Sequence, residues 1–247
     1  MALSLRSLTV VVALWLFACV PLHAQTPPVA ARPGEASVRF TVFALGGMEG
    51  IAYVPKPGRA REPLRFYSAY RSPSYMYRGA PRLCFYDATS AAESPPLATY
   101  DIPEGSTDLL LIFLPRASPA ADGRKYEVFG VDDGHARTPR GHFSTLNFSG
   151  REYAAQYGAT RITIPVGAGP AHPAGGRVLL RLAARHGDGW LPVGKHDFNL
   201  TARDRILLVF YPPDEGGGLY PIIRRLSDEL PRGRGEAFVA ASEDQGE

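Results

Sequence analysis

The sequence predicts an all-β protein made of two tandem immunoglobulin-like β-sandwich domains of related topology, with little helix. Three observations predict it. The apolar runs are short, several alternate with a period of two, and Gly, Pro, Asp and Ser break them throughout. Helical periodicity is nearly absent, limited to about two turns over 151–157 and one over 236–241. One long apolar run returns 97 residues further on, from Leu109 to Ile206, with its flanking residues in the same order. Strands spaced this way, with Gly- and Pro-rich links, suit sandwiches rather than alternating α/β units.

Composition narrows the class further. With 247 residues, 45% hydrophobic and 21% charged, the chain is too apolar and too weakly charged to be disordered. Two cysteines are too few for a disulfide framework, and 26 Gly with 23 Pro lack the three-residue period of collagen. The net charge of +3 supplies no general drive toward nucleic acid or an anionic membrane, so no nucleic-acid partner is expected.

In chain order, residues 1–24 read as a secretory signal peptide. One charge, Arg6, precedes an apolar stretch over 8–18, and Pro21 leads to Leu22-His23-Ala24 with a small residue at the cleavage point. Leu16-Phe17-Ala18 before Cys19 opens a lipidation reading at Cys19, against which Phe17 is bulky. The apolar stretch is short for a membrane span, which takes about 20 residues, so no integral membrane segment is expected after cleavage. Export places the protein in the periplasm, cell envelope or medium. Cleavage leaves 26 basic against 24 acidic residues and one cysteine, Cys84, expected as a buried thiol in Leu83-Cys84-Phe85-Tyr86. Residues 25–35 read as a Pro-rich spacer.

The body is expected as sandwich domain 1 over 36–133, sandwich domain 2 over 134–230, and a polar tail over 231–247. Strands are expected at 37–45, 50–54, 64–70, 82–87, 97–102, 108–114 and 125–131, then at 142–148, 160–166, 177–183, 196–200, 205–211 and 219–225. The echo pairs Asp108 to Pro115 with Arg205 to Pro212. An all-apolar run ending in proline suits a central strand buried on both faces. Tyr100-Asp101-Ile102 matches His196-Asp197-Phe198, and Arg82-Leu83-Cys84-Phe85 matches Arg177-Val178-Leu179-Leu180.

A resemblance rests on the order of several short motifs between about 38 and 226. They are Val42 to Gly47, Arg71-Ser72 with Tyr75 and Tyr77, Leu109 to Pro115, and Tyr126 before Asp132-Asp133. Pro139-Arg140-Gly141 before Asn147-Phe148-Ser149, Asp188-Gly189-Trp190, and Arg205 to Pro213 complete the series. In this order the chain resembles a family of signal-peptide-bearing bacterial envelope proteins of unknown function. The resemblance implies export and a β-sandwich body, and brings no catalytic residues.

For chemistry, Gly189 to Lys195 meets the Gly-x-x-x-x-Gly-Lys spacing, but His196 stands where a magnesium-binding Ser or Thr belongs, and the loop lies between strand-like runs. The histidines His135, His142, His172, His186 and His196 are scattered, although His135 and His142 flank the expected junction with Asp132 and Asp133. No cofactor and no metal are expected. No nucleophile elbow occurs, and a paired-carboxylate site over Asp101, Asp132, Asp133 and Asp197 is open. Asp101 and Asp197 hold matching places in the two repeats, which favours a strand-end role.

The candidate binding surface is the segment 65–78, with Tyr67, Tyr70, Arg71, Tyr75, Tyr77 and Arg78. Tyrosine faces beside arginine forks suit envelope glycan or protein. In the competing reading, Phe66, Tyr70 and Tyr75 fill the core while arginines run along its edge. The leading functional expectation is a non-catalytic binding or structural module of the envelope. The alternatives are a carbohydrate-binding module using the Tyr/Arg surface, or an envelope hydrolase with its site between the domains.

Overall fold

The computed structural model describes residues 34–44, 48–67, 70–213 and 218–227. Within them one arrangement of strands occurs twice. In the first half, β1 (Ala36–Ala44), β4 (Tyr75–Gly79), β7 (Asp108–Pro115) and β8 (Tyr126–Asp132) form a sheet of order β4-β1-β7-β8. Facing it, β2 (Ile51–Tyr53), β3 (Glu62–Pro63), β5 (Arg82–Asp87) and β6 (Ala98–Asp101) form a sheet of order β3-β2-β5-β6.

The second half follows suit. Its first sheet has the order β12-β9-β16-β17, from β9 (His142–Asn147), β12 (Gly167–Ala168), β16 (Arg205–Tyr211) and β17 (Ile222–Ser227), with β13 (His172–Pro173) also on β9. Its second has the order β11-β10-β14-β15, from β10 (Tyr153–Tyr157), β11 (Thr160–Ile164), β14 (Gly176–His186) and β15 (Gly189–Leu200). The first strand of each half runs parallel to its last but one (β1 with β7, β9 with β16), and the other strand pairings are antiparallel. The fold is therefore all-β, and each half pairs two sheets in the order 4-1-7-8 facing 3-2-5-6, with β12 and β13 of the second half counted as one edge strand on β9. Immunoglobulin constant domains instead set four strands against three.

Alternation explains each core. Val38, Phe40 and Val42 of β1 and Leu109, Leu111 and Phe113 of β7 meet Ile51, Tyr53, Leu83 and Phe85 from the facing sheet. In the second half, Phe143, Ile206, Leu208 and Phe210 meet Tyr153, Ala155, Leu180, Leu182 and Phe198. Burying each of the Val, Leu, Ile and Phe side chains among them contributes about 1.5–3 kcal/mol. The intervening residues Phe43, Leu110 and Ile112 join Leu146, Leu207, Val209 and Tyr211 in a third cluster. So the two central sheets pack back to back, and β7 and β16 are buried on both faces. This is why their sequences read as unbroken apolar runs, and the 97-residue offset keeps each residue on its equivalent face.

Two glycines let the sandwich edges close. A Cβ on Gly130 of β8 would stand 2.0 Å from the Tyr100 hydroxyl of β6, and one on Gly194 of β15 would stand 2.1 Å from the Tyr220 ring. In the β14–β15 hairpin, His186 pairs with Gly189 across the two-residue loop Gly187-Asp188, and a bulge at Leu182/Ala183 leaves Val193 as the extra residue.

Several expectations are corrected. Residues 153–157 form a strand where a helix was expected, because Tyr153, Ala155 and Tyr157 all turn toward one core; no helix occurs among the described residues. Residues 75–79 form a strand, while most of 64–70 lies outside regular structure. Gly189 to Lys195 lies on β15 itself. Cys84 is half-buried, not buried, since alternation turns Leu83 and Phe85 inward and the thiol outward. The expected signal peptide at 1–24 with Cys19, nearly all of the expected spacer, the helical turn expected at 236–241 and the expected tail at 231–247 lie outside the described residues.

Candidate functional site

The segment 65–78 does not assemble into one surface. Tyr75 and Tyr77 are buried on the core face of β4, with 6% and 8% of their surface exposed. The Tyr75 hydroxyl accepts from the Arg65 amide at 2.8 Å, and the Tyr77 hydroxyl donates to the Ala80 carbonyl at 2.8 Å. Burial pushes both phenols above their ordinary pKa. Tyr67 and Tyr70 are half-buried, and Arg78 is tied to Glu35 at 3.3 Å. The residue between the faces, Met76, is the exposed one. A platform of four tyrosines is thus replaced by two core residues and two edge residues.

Arg71 goes elsewhere. Its guanidinium forks onto the carboxylate of Asp133, Nε to Oδ2 at 2.7 Å and Nη2 to Oδ1 at 2.9 Å. Arg205, at the start of β16, donates to the Asp133 backbone carbonyl and reaches Oδ2 at 3.4 Å. Arg71 Nη1 also donates to the Leu226 carbonyl at 3.4 Å, next to a parallel bridge between Tyr70 and Ser227. Ser72 holds the segment to β1: its hydroxyl accepts from the Val42 amide at 2.7 Å, and its own amide donates to the Val42 carbonyl. One acid following β8 therefore joins an arginine of the first half to an arginine of the second.

Beside this clamp opens a cleft of about 550 Å³. Its inner wall carries the buried residues Phe40, Arg71, Ser72, Leu109 and Arg205, and its rim the exposed Arg39, His135, Arg140 and Arg203. Arg39 is paired with Asp108 across the parallel β1–β7 register. Gly141, in the left-handed region at φ 73, donates its amide to the Asp204 carbonyl at 2.7 Å. That bond sets the turn bearing Arg140 beside the turn 201–204 bearing Arg203. No acid among the described residues is paired with Arg140 or Arg203. Among the described residues, five arginines thus line one opening with two aspartates.

Other nominated groups have structural partners. Asp101 pairs with Arg82 at 2.6 Å and Asp197 with Arg177 at 2.5 Å; each arginine holds its acid below the usual carboxylate range. These are the same pair in the two halves, as a strand-end role predicts. Asn147-Phe148-Ser149 and Asn199-Leu200-Thr201 both have the N-x-S/T form of a glycosylation acceptor, but Asn147 is 1% exposed; it accepts from Ser149 and donates to the Arg151 carbonyl at 2.7 Å. No group of three or more His, Cys, Asp or Glu among the described residues is arranged to hold a metal.

Of the residues expected to form the Tyr/Arg binding surface, only Arg71 lies in the cleft. Asp133 was nominated as an acid, and His135 as a ligand at the junction; both line the cleft, in other company. Arg39, Arg140, Arg203 and Arg205 were missed. The available signal was the density of basic residues at 135–142 and 203–205, flanking the junction expected near 133–139. No family model matches the chain, and no curated protein matches it either.

Proposed function

We propose that the chain is an exported, non-catalytic binding module of the cell envelope whose ligand seats in the cleft between its two sandwiches. The observation that carries this reading is the cleft itself, about 550 Å³ and so within the 300–1,000 Å³ range of small-molecule sites. Its walls come from both halves and are held by packed sheets and a buried charge clamp, which gives the pre-formed rigidity that a binding site needs.

The non-catalytic part rests on how the acids are engaged. Asp108 is paired with Arg39, and Asp133 with Arg71 and Arg205, so both carboxylates of the cleft are engaged in ion pairs. The export part rests on the leader-like residues 1–24 and on the family resemblance. No helix of the described residues is long and apolar enough to cross a membrane.

The test is a binding and turnover screen on purified protein. Fractionated envelope glycans and peptides are titrated while thermal stability is followed, since a ligand that binds only the native state raises Tm. The expected result is a saturable Tm rise without chemical change of the ligand. Turnover of any glycan or peptide in the same samples, abolished by Asp133→Asn, would replace this reading with a hydrolase.

A further inference from the structure

We propose that the outer face of the β11-β10-β14-β15 sheet is a docking surface for an acidic polysaccharide, whose uronate chain crosses the strands along a trough of small side chains. The surface is separate from the cleft, since none of its residues lines that opening.

Strand register builds it. Val178, Leu180, Leu182 and Ala184 of β14 face the core, so Arg181, Ala183 and Arg185 face out. Gln156 pairs with both Arg161 and Arg181, and Arg181 pairs with Lys195, which sets Arg161, Gln156, Arg181 and Lys195 in one line across four strands. The next outward line is Thr163, Ala154, Ala183 and Pro192, a floor of small side chains. Beyond it Arg185 pairs with Trp190, and its guanidinium lies 6.0 Å from the centroid of the indole. The floor is thus walled by cations on one side and by Arg185 and Trp190 on the other. At about 3.4 Å per residue and two residues per line, the walls rise about 13–14 Å apart, room for one chain of sugar rings.

Charge complementarity calls for an acidic partner. Arg161, Arg181, Arg185 and Lys195 are exposed, and none is in an ion pair among the described residues. Arg177, also outward on β14, is answered by Asp197 at 2.5 Å. Two other acids, Glu152 ahead of β10 and Asp188 in the hairpin loop, lie at the Trp190 end, and the line of Arg161, Arg181 and Lys195 contains none. The chain as a whole is only +3, so these cations are a local concentration.

Chemistry selects the polysaccharide. Guanidinium forks onto carboxylate, and the indole, 43% exposed, offers a flat apolar face to the C–H side of a sugar ring. Thr163 and Gln156 add polar groups for ring hydroxyls. A single-stranded nucleic acid needs aromatics for successive bases, and these lines hold one. A bilayer needs clustered apolar side chains, whereas Trp190 and Leu191, the exposed apolar pair of β15, point to opposite faces.

Titration of the whole protein with polygalacturonate, and with the same polymer methyl-esterified, tests the proposal. Trp190 is one of two tryptophans, Trp15 being the other, so in a Trp15→Phe background its fluorescence reports the surface directly. Polygalacturonate is expected to bind saturably, to change that fluorescence, and to bind less tightly as salt rises. The neutral ester should bind at least tenfold more weakly. Arg181→Gln/Lys195→Gln should weaken binding of the polyuronate at least tenfold with unchanged Tm, because both side chains are exposed. Arg181→Lys/Lys195→Arg, which keeps the charges, should bind nearly as the parent does. Arg140→Gln, on the rim of the cleft, should change nothing.

No binding of polygalacturonate, equal binding of the ester, or equal affinity in the Gln double variant overturns the proposal. So does tighter binding of oligothymidylate or of phosphatidylglycerol vesicles through the same residues, which would give the face another partner. A ligand that raises Tm equally in the parent and in the Arg181→Gln/Lys195→Gln variant leaves the binding module of the cleft standing, whatever the fate of this surface.

Discussion

Arg71 and Asp133 are joined through both ends of a guanidinium–carboxylate fork, at 2.7 and 2.9 Å, across 62 positions of sequence and between side chains only 5% and 12% exposed. Because Arg205 shares the same carboxylate, removing Asp133 takes a charge partner from two buried cations at once. Breaking a buried pair by deleting one partner costs about 3–5 kcal/mol. Asp133→Asn is therefore expected to lower stability by about that amount. Arg71→Gln should cost less, since Arg205 still answers the acid. The matched surface pair offers a contrast: Asp101→Asn should leave the urea midpoint close to that of the parent. Equilibrium urea unfolding of the three variants checks the order.

Edge closure gives a second expectation. A methyl on Gly130 would overlap the Tyr100 hydroxyl and ring at 2.0–2.6 Å, so the ring has to move out of its place against the first core. Overpacking of this kind costs about 1–3 kcal/mol. Gly130→Ala should lose that much in denaturation, and Gly194→Ala should lose a similar amount against Tyr220. In a Tyr100→Leu background the Gly130→Ala penalty should shrink, because the two changes share one space. Equal penalties in both backgrounds would mean that the ring is not what excludes the methyl.

The fold was far more legible than the site, for a physical reason. Leu109 to Pro115 and Arg205 to Pro212 advertise themselves because burial on two faces demands apolar residues at every position, and local sequence records that demand directly. Tyr153 to Tyr157 was misread because Ala and Gln favour helix in isolation. The period of two in Tyr153, Ala155 and Tyr157 is a signal that the core, not propensity, decides. The cleft has no such record. Arg39, Arg71, Arg140, Arg203 and Arg205 come from five places in the chain, and each reads alone as an ordinary arginine at a strand end or turn. Only the back-to-back packing of two sheets makes them neighbours. Tyr75 and Tyr77 erred the other way: their spacing of two placed them on one face, and that face proved to be the core.

Two histidines make stability depend on pH. His172 lies among Phe143 and Tyr157, and His196 lies beside Phe198 with Arg225 and Asp197 as its charged neighbours. Burial holds both below the ordinary value of 6.5, and Arg225 adds to this at His196 while Asp197 opposes it. The Nε2 of each is buried without a hydrogen-bond partner among the described residues, so a proton there would find no acceptor. The unfolded chain takes up these protons near pH 6.5 while the fold resists them. The stabilisation is thus complete above that pH and is lost as pH falls through it toward the depressed folded values. Tm should decline between pH 8 and pH 5, and His172→Phe/His196→Gln should flatten that decline. Asp101 and Asp197, whose values are lowered by Arg82 and Arg177, act in a separate window, below the ordinary carboxylate value of 3.8.

The two glycosylation sequons should behave differently, and the difference reads out the fold. Asn147 lies at the end of β9, and its side chain closes a turn: the carbonyl oxygen accepts from the amide and hydroxyl of Ser149 at 3.0 and 2.7 Å, while the amide nitrogen donates to Arg151. Asn199, by contrast, is exposed on β15. Expressed in a host that glycosylates after folding, the protein should carry glycan at Asn199 and none at Asn147 by peptide mapping. Asn147→Ala leaves the Arg151 and Ile164 carbonyls and the Ser149 amide short of a partner, and should cost about 1–3 kcal/mol in urea unfolding. Asn199→Ala should leave the midpoint near that of the parent. Occupancy at Asn147 in native protein, or a silent Asn147→Ala, would contradict a turn held shut by that side chain.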